Sequence, residues 1–148
     1  LSIRRQRQMC IRDSLSNEVF LSCADEGEQM SALEYLEAEA KRTELRGRMT
    51  AFHEQYDLLV CPTLACVPFP VGHAQPPHWR KRDGEFMALA TPFDLTGQPA
   101  ISVPCGFSAL AGPIGLQIVG ACGEDALVLR AARAFEKAVQ LGKVHPPI

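Results

Sequence analysis

From Ser31 the chain runs SALEYLEAEAKRTELRGRMTAFHEQY without a proline. Leu33, Leu36 and Ala40 share one side, and Leu45, Met49 and Phe52 continue an apolar stripe at i, i+4, i+7 spacing. The pattern predicts a long helix over about 31–55. Ser31 and Glu34 form a capping box, in which each side chain satisfies an orphan N–H of the first turn. Gly47 weakens the helix slightly. Its charged face reads as solvated surface in preference to a partner-binding one. A second stripe follows Gly123-Glu124-Asp125: Val128, Ala132, Phe135 and Val139, flanked by Leu127, Ala131, Ala134 and Ala138. It predicts a helix over 124–140 that packs broadly against a sheet, with acidic residues at its positive end.

Between the two stripes the periodicity changes. DLLVC (57–61) is a short apolar run ended by Pro62, the pattern of a buried strand. AISVPC (100–105) and IGLQIVG (114–120) read as two more buried strands, joined through GFSALAGP as a hairpin. TPFDLTG ahead of them reads as a polar turn. Residues 62–84 hold Pro62, Pro68, Pro70, Pro76 and Pro77, with Gly72, His73, His78 and Trp79, and read as a long irregular loop. Short helices are expected near Glu18 to Ala24 and Glu85 to Ala90. The last residues, KVHPPI, are expected to fray. No internal repeat is visible. The fold class that results is α/β, a sheet flanked by helices.

Composition adds limits. A chain of 148 residues, 47% apolar and 22% charged, is ordinary for one globular domain. No run of about 18 apolar residues exists, so no membrane span or membrane partner is expected. Arg4, Arg5, Arg7 and Arg12 oppose only Asp13 in residues 1–14, so the rest of the chain is net acidic. That argues against a nucleic-acid partner. RQRQMCIRDS has neither period and resembles translated adaptor sequence, so residues 1–14 read as a non-native or disordered leader. A basic nucleic-acid or lipid arm is the functional alternative. Cysteines at 10, 23, 61, 66, 105 and 122 form no CxxC. Several lie inside apolar runs (LLVC, SVPC) and read as small buried hydrophobes; the setting reads as reduced and cytoplasmic, and no metal or other cofactor is expected.

Candidate chemistry is sparse. There is no G-x-S-x-G elbow. Lys41, Lys81, Lys137 and Lys143 lie on helix faces, in the charged loop or in the tail, none beside a serine. Cys105 with His73 or His78 is the one nucleophile–base pair worth naming, and a buried, unreactive cysteine is the commoner case. His73 and His78 with a cysteine match no metal-ligand spacing. Asp94 is read as a turn residue, His53 as a partner of the helix C-terminal dipole, and Ser102 as a strand residue.

Four segments in order nevertheless resemble the C-terminal portion of the amidase signature family: YDLLVCPT (56–63), TPFDLTGQPAISVPCG (91–106), GPIGLQIVG (112–120) and EDALVLRAARAFE (124–136). The resemblance covers about residues 26–140. It implies that 15–148 is the C-terminal fragment of one amidase domain with a mixed sheet, the last quarter to third of a member. It further implies hydrolysis of a linear carboxylic amide to an acid plus ammonia or an amine, through an acyl-enzyme made by a Ser–cis-Ser–Lys triad. The triad's signature has no matching position here, so no catalytic residue is assigned and the chain alone is expected to be inactive. Substrate-pocket positions implied by the match are Pro62, Thr63, Phe86, Met87, Thr91 and Gln98. Glutamine-using amidotransferases carry an N-D-x-x-T pattern where Phe86, Met87 and Ala90 stand here. An apolar wall there favours a less polar acyl or aryl amide as the small-molecule partner. Asp94 replaces the commoner Asn of the turn. A homodimeric parent is left open. The alternatives are a stand-alone, non-catalytic α/β domain that binds a partner chain and, behind it, a fragment of a glutamine amidotransferase.

Overall fold

The structure is a computed structural model that describes residues 18–73, 76–77, 85–109 and 112–141, with side chains from residue 24 onward. The leader at 1–14, His78 and the tail KVHPPI lie outside these residues. The chain divides into two compact units, Leu1–Ala40 and Lys41–Ile148.

In the first unit, α1 (Glu18–Gln29) is longer than the Glu18–Ala24 segment expected. It stops at Met30–Ser31, where α2 (Ala32–His53) begins. The capping box that sets this start is fully formed. The Ser31 N–H donates to Glu34 Oε2 at 2.8 Å, the Ser31 hydroxyl to the same oxygen at 2.6 Å, and the Glu34 N–H to Ser31 Oγ at 3.2 Å. The apolar face expected from Leu33, Leu36 and Ala40 is not buried; Leu33 and Leu36 are 67% and 63% exposed. Further along α2, in the second unit, Leu45, Met49 and Phe52 are half-buried, as their spacing requires.

The second unit is built on three antiparallel strands, β1 (Leu58–Pro62), β2 (Ala100–Phe107) and β3 (Pro113–Gly120), in the order β1-β3-β2. The last strand in sequence, β3, is therefore the central one. Val60 and Ile101 both pair with Ile118, and Pro62 and Val103 both pair with Leu116, which sorts the side chains onto two faces. On one face α4 (Asp125–Val139) packs against β2 and β3. Val103, Ile118 and Ala132 form the core there, with Leu58, Ile101, Leu116, Ala131 and Phe135 around them. Val60 lies on the same face of β1 and stays exposed.

The opposite face carries Val119, which is fully buried, and Gln117. It is tied to the segment 85–98. A 3-10 turn (Glu85–Met87) leads into α3 (Thr91–Thr96). The Gln117 amide donates to the Leu89 carbonyl at 2.8 Å, and the Gln98 amide to the Gly120 carbonyl at 3.0 Å. Both faces of the sheet thus carry packed elements, and the α/β class holds.

Three boundaries differ from the sequence reading. TPFDLT is a helix, not a polar turn. Pro92 sits in its first turn, where a missing N–H costs nothing, and Gly97 closes it at φ 72°, the left-handed geometry a helix end favours. β2 continues to Phe107 and β3 starts at Pro113, so the hairpin connection is only 108–112. Its Ser108 N–H donates to the Gly112 carbonyl at 2.8 Å. The register of β2 slips between Pro104 and Gly106, a bulge that leaves Cys105 unpaired in the ladder.

Candidate functional site

Where β1 ends, the ladder continues for one more bond: the Thr63 N–H donates to the Gly115 carbonyl at 3.0 Å. Strand alternation then turns the Thr63 side chain to the face opposite Pro62. Ser102 of β2 faces the same way, and the two hydroxyls meet at 2.6 Å. They sit on edge strands with β3 between them, so their contact crosses over Gly115. A Cβ there would stand 2.5 Å from Ser102 Oγ and 2.6 Å from Thr63 Oγ1. The glycine is what lets two short side chains span the central strand.

A groove of about 380 Å³ opens on this pair, lined by Leu64, Cys66, Val67, Phe69, Pro113 and Ile114 among others. No charged side chain lines it among the described residues. Its outer wall is the segment after β1, held in place by the Ala65 N–H donating to the Phe86 carbonyl at 3.0 Å and by an edge-to-face contact of Phe69 with Phe86, centroids 6.1 Å apart. Gly112 permits the wall's close approach, since a Cβ there would stand 2.7 Å from Pro68 Cβ. Burial pushes the Cys66 thiol above its ordinary value, so it stays a neutral, weak nucleophile.

The positions expected to line a pocket separate. Thr63 is at the groove and Phe86 braces its wall. Met87 is exposed at the end of the 3-10 turn, and Thr91 donates its hydroxyl to the Met87 carbonyl at 3.1 Å. Pro62 lies on the α4 side of the sheet. Gln98 is buried with both amide atoms engaged: Oε1 accepts from the Thr96 hydroxyl at 2.9 Å while the amide nitrogen donates to Gly120. It lines a second cavity, of about 280 Å³, with Arg46, Met49, His53, Cys122 and others. His53, at the end of α2, donates from Nδ1 to the Tyr56 carbonyl at 2.9 Å, and its buried Nε2 has no partner among the described residues. Ser102 and Gly115 are the groove positions that sequence reasoning passed over. The available signal was a serine and a glycine in strands otherwise apolar.

No nucleophile is seen paired with a base among the described residues. The Cys105 thiol donates to the Ile114 carbonyl at 3.4 Å, and no described imidazole bonds to it. Among the described residues neither Lys41 nor Lys137 hydrogen-bonds a serine, and no three His, Cys, Asp or Glu side chains converge as metal ligands. No helix among the described residues is long and apolar enough to cross a membrane.

The Amidase family model matches residues 3–129. This chain belongs to the amidase family. Among amidase relatives, the Acylamidase of Rhodococcus erythropolis is 36% identical over 125 residues, covering 81% of this chain and 26% of its own length. A Glutamyl-tRNA(Gln) amidotransferase chain of Thermus thermophilus is 37% identical over 114 residues, 77% of this chain and 23% of its own. A crystal structure of an amidase superposes with a TM-score of 0.72 at 28% identity over 83% of this chain and 29% of its own. The structure of 6-aminohexanoate cyclic dimer hydrolase gives 0.61 at 30% identity, over 76% of this chain and 26% of its own. The chain spans about a quarter of the length of the curated amidase relatives it matches.

Proposed function

We propose that this chain forms the C-terminal wall of the substrate pocket in an amidase that hydrolyses a linear carboxylic amide with an apolar acyl or aryl body. The product would be an acid plus ammonia or an amine. The nucleophile and its base lie in the sequence that completes the domain. The observation that carries this reading is the groove over Thr63 and Ser102: apolar walls, two hydroxyls and no charge. Glutamine brings an ammonium and a carboxylate, and burying either without a partner charge is costly. An acylamidase-like substrate therefore fits better than the glutamine of the amidotransferase relatives. A cytoplasmic setting goes with this reading, supported by the free thiols of Cys61, Cys66, Cys105 and Cys122.

The test is a chimera. Residues 26–140 replace the matching segment of the Rhodococcus acylamidase, and hydrolysis of acetanilide and of glutamine is compared. The expected result is activity on acetanilide and none on glutamine, while the purified 148-residue chain hydrolyses neither. A chimera that prefers glutamine, or a chain whose own activity disappears with Cys105→Ala, overturns the proposal.

A second reading, a non-catalytic domain that pairs with another chain, is favoured by one observation. Val60, Leu64, Val67 and Phe107 are large apolar side chains exposed on or beside a three-stranded sheet whose edges, β1 and β2, pair with no further strand among the described residues. A monodisperse product with one cooperative thermal transition would support it; aggregation of the purified chain would count against it.

A further inference from the structure

We infer that the Thr63–Ser102 hydroxyl pair is a specificity element of the groove, donating one proton to the carbonyl oxygen of an uncharged amide whose apolar body lies on Leu64, Val67, Phe69 and Ile114. The inference deepens the proposed function and rests on the same groove, but it concerns binding and not hydrolysis.

The pair has one more donor than it uses. Each hydroxyl brings one O–H and two lone pairs. At 2.6 Å one O–H is spent between the two oxygens, whichever residue provides it. The other O–H has no partner among the described residues, and both oxygens border the open groove. The pair therefore presents a single donor to a ligand. That donor is polarised, because its oxygen already accepts the neighbour's proton. Around it the lining offers little competition. Cys66 is a neutral thiol, and the remaining side chains are aliphatic, aromatic, proline or absent. A ligand with a carbonyl oxygen satisfies the donor, whereas a hydrocarbon leaves it unmet. A carboxylate or ammonium finds no countercharge. Gly115 is part of the device. It holds the space in which the two hydroxyls reach one another, and the approach is too close for any side chain.

The experiment is an NMR titration of the full 148-residue chain with three probes: acetanilide, propylbenzene and glutamine. Acetanilide is expected to shift Thr63, Ser102 and Gly115 resonances saturably, propylbenzene to bind more weakly at the same wall, and glutamine to leave these resonances unmoved. Ser102→Ala and Thr63→Val together should weaken acetanilide about tenfold, the worth of one good hydrogen bond. Propylbenzene affinity should not change, and Thr63→Ser should retain acetanilide binding. Equal binding of acetanilide and propylbenzene by the unaltered chain overturns the inference without any variant. So does glutamine binding at these residues, or an equal loss for both probes in the double variant. Because binding is read in a chain without the triad, a negative result here leaves the chimera test of the amidase reading intact.

Discussion

A methyl group is the smallest change that would separate the two hydroxyls of the groove. Gly115→Ala forces Thr63 and Ser102 apart over the central strand, and overpacking of that kind costs about 1–3 kcal/mol. Urea denaturation should show that loss, and the groove resonances should move with it. Gln117 offers a different case. It is 5% exposed, and its amide satisfies the Leu89 carbonyl. Gln117→Leu should cost about 1 kcal/mol, since it leaves a part-buried acceptor unpaired. Glu34 is the residue whose chemistry was plainest in the sequence. The Ser31 hydroxyl and then the Ser31 N–H stabilise its carboxylate and hold its pKa below the usual range. Such a depressed group stabilises the helix start fully above its unfolded value, about 4.3. The contribution fades as pH falls through the lower folded value. An NMR titration should therefore place the Glu34 midpoint below that of an ordinary glutamate, and Ser31→Ala should raise it. The Thr63–Ser102 pair was not legible in the same way. Its partners are far apart in sequence and meet only through a register that hydrophobic pattern does not specify.

Elements were legible where one face is buried by regular packing. The stripe on α4 was read to within a residue at each end because Val128 and Ala132 are buried against the sheet and acidic residues open the helix. The first half of α2 shows the opposite: a helical pattern of apolar residues gave the helix correctly, but not its burial. α3 was missed because six residues are too few for a period to register. Its signals were instead Pro92 near the start and Gly97 just past the end, a pair that also fits a turn. Gly97→Ala tests the helix reading. At φ 72° an alanine is strained, and a loss of about 1 kcal/mol is expected, with Gly97→Asn milder. Thermal melts of the two variants should rank in that order. The bulge in β2 had no signal in the hydrophobic pattern, since Pro104 and Gly106 also read as the end of a strand.

At the scale of the molecule, the α/β class followed from two helices bracketing short apolar strands, whereas the strand order β1-β3-β2 came only with the structure. Both edge strands pair with β3, so β3 holds the second unit together. Val119, with no exposed surface, is the sharpest probe of that role. Val119→Ala should destabilise by about 2–3 kcal/mol through transfer loss and a residual cavity, read as a lower urea midpoint with an unchanged slope. Pro104 also shapes the outer side of β2. The Thr63 N–H donates to the Gly115 carbonyl, so the backbone groups of Gly115 point toward β1. Pro104, which pairs with Gly115, therefore turns its own backbone away from β3. At that point the outer edge offers a carbonyl but no N–H. A strand laid along this edge would find outward N–H donors at Ala100 and Ser102 and none at Pro104. The proline thus leaves the outer edge of β2 one donor short where the bulge begins, which blunts that edge as a template for pairing.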